Sequence, residues 1–429
     1  MSKIEDYVRA DENYEVPSTM RALVLSGRGE KNLKIKRIDV PECGEQEILA
    51  RVDAAIACAS DIKLIDQRSE HPLMYGWDVS KYPIIIGHEG AVTIVKVGEK
   101  LKEKHHVGER FAVQPAVPCG PRRFKERYRN NAVGINKIAV GYTLPGLFAE
   151  YVLIPQEVIE TGCLIPFPEK EIPYFAGALA EPLSDVIAAQ ERMVHIVKDS
   201  PTSPRRAEIG PKRGGVTLII GAGPMGLMHI KIAMSYKPRE IIVPELIERR
   251  RERACRLFQE KANKLGIRLV ITDPENLERV INKETDGKGA DDVIVALGIA
   301  KIQEESLKYL APGGVANFFG GTKFDERFIK VDTHRIHYDG ITAVGSSGSD
   351  PSDIAKVLKM IAEGLIDPGN YIVKCGGMGS ALSLIQAVRR KEIDGKGVIY
   401  PHAESDLFDA ERWSLQKEVE FLESHLITR

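Results

Sequence analysis

Long apolar runs are missing from this sequence. In 429 residues none approaches the roughly 20 needed to span a bilayer, and the opening MSKIEDYVRADENYEVP is charged where a secretory leader would be apolar. A cytoplasmic protein with no membrane partner is expected. An excess of charge of one sign is missing too: 60 Lys and Arg against 61 Asp and Glu leave a net charge of -1, so nothing in the overall field favours nucleic acid. A small solute is the better expectation. Cysteine is sparse, and Cys43, Cys58, Cys119, Cys163, Cys255 and Cys375 stand singly, which fits reduced thiols rather than a disulfide framework. No internal repeat or low-complexity tract is present.

What is there suffices for two cores. A chain of this length with 43% hydrophobic residues is expected to split into two domains. From Arg21 to about Pro155, short alternating or apolar runs bounded by Gly and Pro (RALVL, EILARVDAAIA, GAVTIVKVG) read as a β-rich domain. PYFAGALAEPLSDVIAAQERM then reads as a long helix, and KDSPTSPRRAEIGPKRGG as a solvated connector. Beyond it, apolar strands alternate with helix-length segments, the pattern of a parallel sheet covered on both faces. A charged helix in DAERWSLQKEVEFLESHL closes the chain.

The segment VTLIIGAGPMGLM places Gly221, Gly223 and Gly226 in G-x-G-x-x-G spacing, after an apolar strand and at a helix start that includes Pro224 and Met225. The first glycine permits a tight turn, the second lets a pyrophosphate approach the backbone, and the third lets helix and strand pack closely. The helix N-terminus offers unpaired N–H groups to the phosphates. At the end of the next strand Glu245 stands where an acidic side chain accepts hydrogen bonds from the adenosine ribose, and a carboxylate there repels a 2′-phosphate. NAD(H) is therefore favoured over NADP(H). Arg249, Arg250, Arg251 and Arg253 follow closely; they are either a solvated face paired with Glu248 and Glu252 or, with Arg250 at the cofactor, a clamp that accepts a 2′-phosphate.

Three separated fragments carry zinc-type ligands: CASD with Cys58, GHEG with His88 and Glu89, and AEPL with Glu181. Thiolate, imidazole and carboxylate are what an open catalytic zinc site uses. Taken singly, a buried Cys or a His before Glu is more often structural. Their order ahead of a G-x-G-x-x-G unit is another matter, and here the sequence resembles the zinc-dependent medium-chain dehydrogenases, in particular the sorbitol-dehydrogenase-like branch, over roughly Met20 to Pro401. GGVANFFGG, GSSGSDPSDI and KCGGMGS further resemble the L-sorbose-1-phosphate reductases.

The resemblance implies a GroES-like, β-rich catalytic domain over residues 1–183 and 345–429, and a Rossmann doubly wound domain over 184–344. It implies one catalytic Zn2+ on Cys58, His88 and Glu181, with Glu89 coordinating or exchanging with water and substrate. Ser60 stands where a hydroxyl relays the alcohol proton. His337 falls near a substrate-proximal basic position, or is a surface histidine. The substrate is expected between the domains, as a polyol, ketose or sugar phosphate, and a homodimer or homotetramer is usual for the fold. Relatives with a second, structural zinc use four closely spaced cysteines; here only Cys119 remains, among Arg122, Arg123, Lys125, Arg127 and Arg129, so no structural zinc is expected. That basic loop is either a solvated lobe or an attractor for a phosphorylated substrate. Two rivals stand beside this reading: a zinc-free quinone or enoyl reductase of the same fold, which needs no ligands at 58, 88 and 181, and a catalytically silent dinucleotide-binding protein.

Overall fold

The computed structural model describes residues 3–168 and 172–427, apart from the side chain of Phe324. The chain divides into two compact units, Met1–Pro182 with Asp350–Arg429, and Leu183–Ser349. The second is thus an insertion into the first.

The first unit is built around the strand Ile48–Ile56, buried at every position. On one edge it pairs antiparallel with Glu89–Val97, placing Ile56 opposite Glu89. On the other it meets Lys396–Tyr400, with Val398 opposite Ile56. Its first half also pairs with Tyr151–Ile154. Val52, Ile94, Val113, Phe148 and Ile399 pack the core. Arg51 and Asp53, both fully buried on this strand, are tolerated because they pair at 2.7 Å and the guanidinium lies 3.6 Å from the Tyr7 ring.

The second unit is a parallel sheet in the order Arg268–Thr272, Glu240–Pro244, Val216–Ile220, Ala290–Val295, Leu310–Phe318, Thr342–Gly345. The chain starts in the middle and winds outward in both directions, the doubly wound arrangement. Its central strand VTLII is buried throughout, as a sheet covered on both faces requires. No described helix is long and apolar enough to cross a membrane.

The connector KDSPTSPRRAEIGPKRGG is exposed over most of its length, and its segment Arg206–Ile209 pairs with a strand that lies just before it. Val194–Val197 and Arg206–Ile209 form an antiparallel hairpin. Its residues alternate: Ile196 and Ile209 face outward, while His195 turns in and holds Asp292 through Nε2 at 2.7 Å. The turn residues occupy the tip, and this buried hydrogen bond joins the hairpin to the strand Ala290–Val295.

Candidate active site

Cys58 caps the N-terminus of the helix Ala59–Gln67, at the point where the central strand of the first unit ends. Asp61, fully buried on that helix, ties two parts of the site together: Oδ2 accepts the Cys58 N–H at 2.9 Å, and Oδ1 lies 3.1 Å from His88 Nδ1. A carboxylate only accepts, so Nδ1 is the donor and Nε2 is left to face a ligand. Burial, the largest single influence, would depress the His88 pKa; the charge and hydrogen bond of Asp61, with Tyr142 and Cys58, together outweigh it and raise the pKa well above the ordinary value.

Among the described residues, Cys58, His88 and Glu89 form a group of metal-type ligands whose donor atoms all lie within 4.8 Å of one another. Ligand atoms on a tetrahedral zinc, with bonds of about 2.0–2.3 Å, stand roughly 3.5 Å apart, so the set closes on an ion with modest side-chain movement. Glu181 is buried on the helix Tyr174–Glu191 and falls outside this group of three, although its charge bears on Lys396 and on Tyr142. Ser60 is half-buried in the first turn of the helix that Cys58 caps. The Tyr142 ring lies 5.7 Å from His88 and 5.1 Å from His71, and burial raises its hydroxyl pKa. Burial, with Lys63 and His88 nearby, lowers the His71 pKa to about 4.

One member was missed in the sequence. Lys396, buried at the start of its strand, places Nζ 2.6 and 2.7 Å from the two oxygens of Glu89. The only signal was a lysine opening the otherwise apolar run KGVIY, whose partner stands 307 residues away.

Two other basic features take up the surface alternatives. His337 is exposed, its ring 4.6 Å from Tyr338. In the basic loop Arg122 pairs with Glu160, Arg123 with Glu47 at 2.6 Å, and the Arg127 guanidinium lies 3.8 Å from the Phe124 ring centroid.

In the second unit the three glycines answer to three different demands. Gly221 has φ +99°, in the left-handed region. A Cβ on Gly226 would stand 2.0 Å from the Gly221 carbonyl oxygen, whereas one on Gly223 would meet nothing closer than Arg250 Nη1 at 3.8 Å. Pro224 opens the helix that Gly223 caps, and Met225 follows it. Glu245 is buried just past its strand; it accepts the Ala222 N–H at 2.7 Å on one oxygen and the Ile247 N–H at 2.9 Å on the other. Each oxygen keeps a lone pair for a further donor. Arg251 is committed to the Glu245 and Leu246 carbonyls and to Asp273. The Arg250 guanidinium stands over the glycine loop.

A doubly wound unit with a glycine cradle, inserted into a β-rich unit bearing a Cys, His and Glu cluster, defines an alcohol dehydrogenase of the zinc and nicotinamide type. The Alcohol dehydrogenase GroES-like domain matches residues 44–165 and the Zinc-binding dehydrogenase domain residues 224–363. The chain is 31% identical to the mannitol-1-phosphate 5-dehydrogenase of Aliivibrio fischeri over 388 residues, 88% of this chain and 86% of that one. It is 27% identical to the L-sorbose 1-phosphate reductase of Klebsiella pneumoniae, over 85% and 84% of the two chains. The fold matches 2R,3R-butanediol dehydrogenase from Bacillus subtilis with a TM-score of 0.69 at 20% identity, over 89% of this chain and 99% of that one. This chain belongs to the zinc-type medium-chain dehydrogenases.

Proposed function

We propose that the chain interconverts a secondary alcohol and a ketone on a polyol or sugar phosphate, using NAD(H) and one zinc ion. Cys58, His88 and Glu181 are its ligands in this reading, with Glu89 beside them. The observation that carries the proposal is the convergence of the Cys58 thiol, the His88 imidazole and the Glu89 carboxylate to within 4.8 Å of one another; Glu181, outside that group, enters on the resemblance of its AEPL segment. A zinc ion bound there polarises a carbonyl oxygen, or lowers the pKa of a coordinated hydroxyl so that it ionises near neutral pH.

The residues supply the rest. Cys58 stands at the N-cap of the helix Ala59–Gln67. Asp61 fixes the His88 tautomer and ring orientation. Ser60 takes the alcohol proton and passes it towards solvent. The glycine loop, Pro224, Met225 and Arg250 receive the pyrophosphate, and the remaining lone pairs of Glu245 receive the ribose hydroxyls. Its negative charge is what supports NAD(H) over NADP(H).

The substrate class is supported by the relatives named for mannitol 1-phosphate and L-sorbose 1-phosphate. The test is a turnover panel with NAD(H) and NADP(H) over hexitols, ketoses and their 1-phosphates, together with metal analysis of the purified protein. Rates on phosphorylated compounds exceeding those on the free polyols, with one zinc per chain, are the expected result. Turnover confined to unphosphorylated polyols removes the phosphate from the proposal, and full activity without metal removes the zinc.

A further inference from the structure

We propose that Glu418, on the helix Leu415–His425 near the end of the chain, is a positioning residue for Glu181: it caps from outside the helix Tyr174–Glu191 and so holds the Glu181 side chain where the metal requires it. This rests on the zinc reading above, in which Glu181 is a ligand, and adds to it what sets that ligand's place.

The helix Tyr174–Glu191 brings no cap of its own. Pro173, which precedes it, has no side-chain acceptor, and the first turn holds no acidic residue. The backbone covers part of the shortfall, because the Pro173 carbonyl accepts the Ala176 and Gly177 N–H groups at 3.1 and 3.2 Å. The Tyr174 and Phe175 N–H groups remain, and Glu418 meets both: Oε2 accepts the first and Oε1 the second, each at 2.9 Å. Glu418, Tyr174 and Phe175 are all buried, so solvent cannot take the acceptor's place.

The same carboxylate is tied to the other side of the ligand set. Its Oε1 also accepts the Tyr400 hydroxyl at 3.0 Å, and the Trp413 indole N–H donates to that hydroxyl at 2.7 Å. Tyr400 ends the strand Lys396–Tyr400, whose Val398 pairs with Ile56, two residues before Cys58. One side chain therefore ties the Glu181 helix to the neighbour of the strand that leads into Cys58. The Tyr400 and Trp413 rings pack against Phe421, with centroids 5.2 and 6.1 Å away, and seat the helix that carries Glu418.

Helix geometry carries the effect of the cap to the ligand. Glu181 follows Tyr174 by about two turns, roughly 10 Å along the axis at 1.5 Å per residue, and each turn between them is hydrogen-bonded to the last. A shift at the capped end is passed on to Glu181. Behind Glu181 the helix is held less firmly, because Pro182 has no N–H and leaves the Ala178 carbonyl without its partner in the next turn. The stretch Tyr174–Glu181 thus depends on its N-terminal cap more than an unbroken helix would.

The experiment uses the full-length, zinc-loaded protein and the variants Glu418→Gln, Tyr400→Phe, Glu181→Gln and Glu418→Gln/Glu181→Gln. Burial pushes the Glu418 pKa up to about 7, so the measurements are made at about pH 8, where it is ionised. Zinc release to a chromogenic chelator is the primary readout, with the visible spectrum of the cobalt-substituted proteins and denaturant unfolding beside it. Glutamine keeps one acceptor oxygen but turns an NH2 donor towards the other backbone N–H, so half of the cap is lost with no change in size. In Glu418→Gln zinc release is expected to quicken by about tenfold or more, the scale of effects from residues that orient a metal's ligands, and the cobalt spectrum to change. The double variant releases zinc as Glu181→Gln does, while the loss of stability to denaturant is seen in both backgrounds. Wild-type release from Glu418→Gln, or a quickening of the same size whether or not Glu181 is present, overturns the proposal. If Glu418→Gln does not fold, Tyr400→Phe decides: it removes the strand's hold on Glu418 and keeps both backbone bonds, so faster zinc release supports the proposal and wild-type release overturns it. A Glu181→Gln variant that releases zinc at the wild-type rate takes Glu181 out of the ligand set; that is a failure of the parent reading, seen before Glu418 is varied, and the proposal falls with it.

Discussion

Substituting alanine at Gly223 and at Gly226 is expected to separate cofactor binding from folding. The two positions are three residues apart, yet their surroundings differ. At Gly226 an added Cβ lies 2.0 Å from the Gly221 carbonyl oxygen, where real contacts do not fall below 3.0 Å, so one backbone must retreat by about 1.0 Å. Neither has room to do so freely. The Gly221 N–H donates to Pro244, the Ala222 N–H to Glu245 and the Leu227 N–H to Gly223, at 3.0, 2.7 and 2.9 Å. Weakening one neutral bond and one to a carboxylate comes to about 2–4 kcal/mol. Gly223 has φ −67°, which any residue adopts, and its nearest neighbour is the end of the Arg250 side chain at 3.8 Å. Alanine there is expected to change stability by less than about 1 kcal/mol, the scale of a helix N-cap substitution. It puts a methyl group where the pyrophosphate meets the backbone, and a loss of roughly 10–100-fold in cofactor affinity is expected, the scale of one lost hydrogen bond to a charged group at about 1.5–3 kcal/mol. Denaturant unfolding of the apo-proteins and fluorescence titration with NADH measure the two quantities. Equal destabilisation by both variants, or NADH binding by Gly223→Ala at wild-type affinity, would refute the close-approach reading of this loop.

Three further outcomes are expected. Asp61→Asn keeps an acceptor for the Cys58 N–H but replaces the charged partner of His88 Nδ1, so zinc affinity measured by chelator competition should fall about 10–100-fold; unchanged affinity would show that Asp61 does not orient the ligand. Exhaustive chelation should abolish alcohol oxidation and leave NADH binding intact, because the glycine loop lies in the other compact unit; activity that survives the removal of all metal sinks the zinc chemistry. His402 is buried, with Nε2 donating to the Glu150 carbonyl, and burial together with Arg51 lowers its pKa to about 3. Its folded pKa lies below the unfolded value, so the neutral ring's contribution is complete above about pH 6.5 and is lost as pH falls towards 3, amounting to about 2 kcal/mol by pH 5. His402→Gln should remove that part of the pH dependence in denaturant unfolding at pH 7.5 and 5, and parallel curves for the two proteins would contradict it.

The parts of the site that could be read in advance are those where chemistry and local structure coincide over a few residues. G-x-G-x-x-G and GHEG are such segments. Cys58 is both a metal-type side chain and the helix cap, and Asp61 three residues on is its capping partner, so one short fragment carries that side chain and the carboxylate that meets His88. Lys396 was not legible for the converse reason. Nothing within KGVIY distinguishes a lysine that reaches solvent from one turned onto Glu89, because the difference lies in strand register between segments 307 residues apart. The hairpin was hidden in a similar way. Its Pro, Ser and Thr residues describe the hairpin tip correctly, while the alternation of Val194, His195 and Ile196 gains meaning only from Asp292 on a distant strand. The arginines of the basic loop look free in one dimension because Glu47 and Glu160, which take up Arg123 and Arg122, lie on either side of it in sequence.

These long-range partners place a condition on how the site forms. The strand carrying Lys396 also carries Tyr400, whose hydroxyl donates to Glu418 at 3.0 Å on the helix Leu415–His425. Glu418, buried, accepts the Tyr174 and Phe175 N–H groups at 2.9 Å and so caps the helix on which Glu181 lies. A helix end buried without such an acceptor would leave backbone donors unsatisfied, at roughly 1–3 kcal/mol each. Cys58, His88 and Glu89 belong to the first hundred residues, but the ammonium that grips Glu89 and the carboxylate that finishes the Glu181 helix both come after the inserted unit, residues Leu183–Ser349. Neither the Lys396–Glu89 contact nor the cap of the Glu181 helix can form until the chain has passed through the inserted unit and returned.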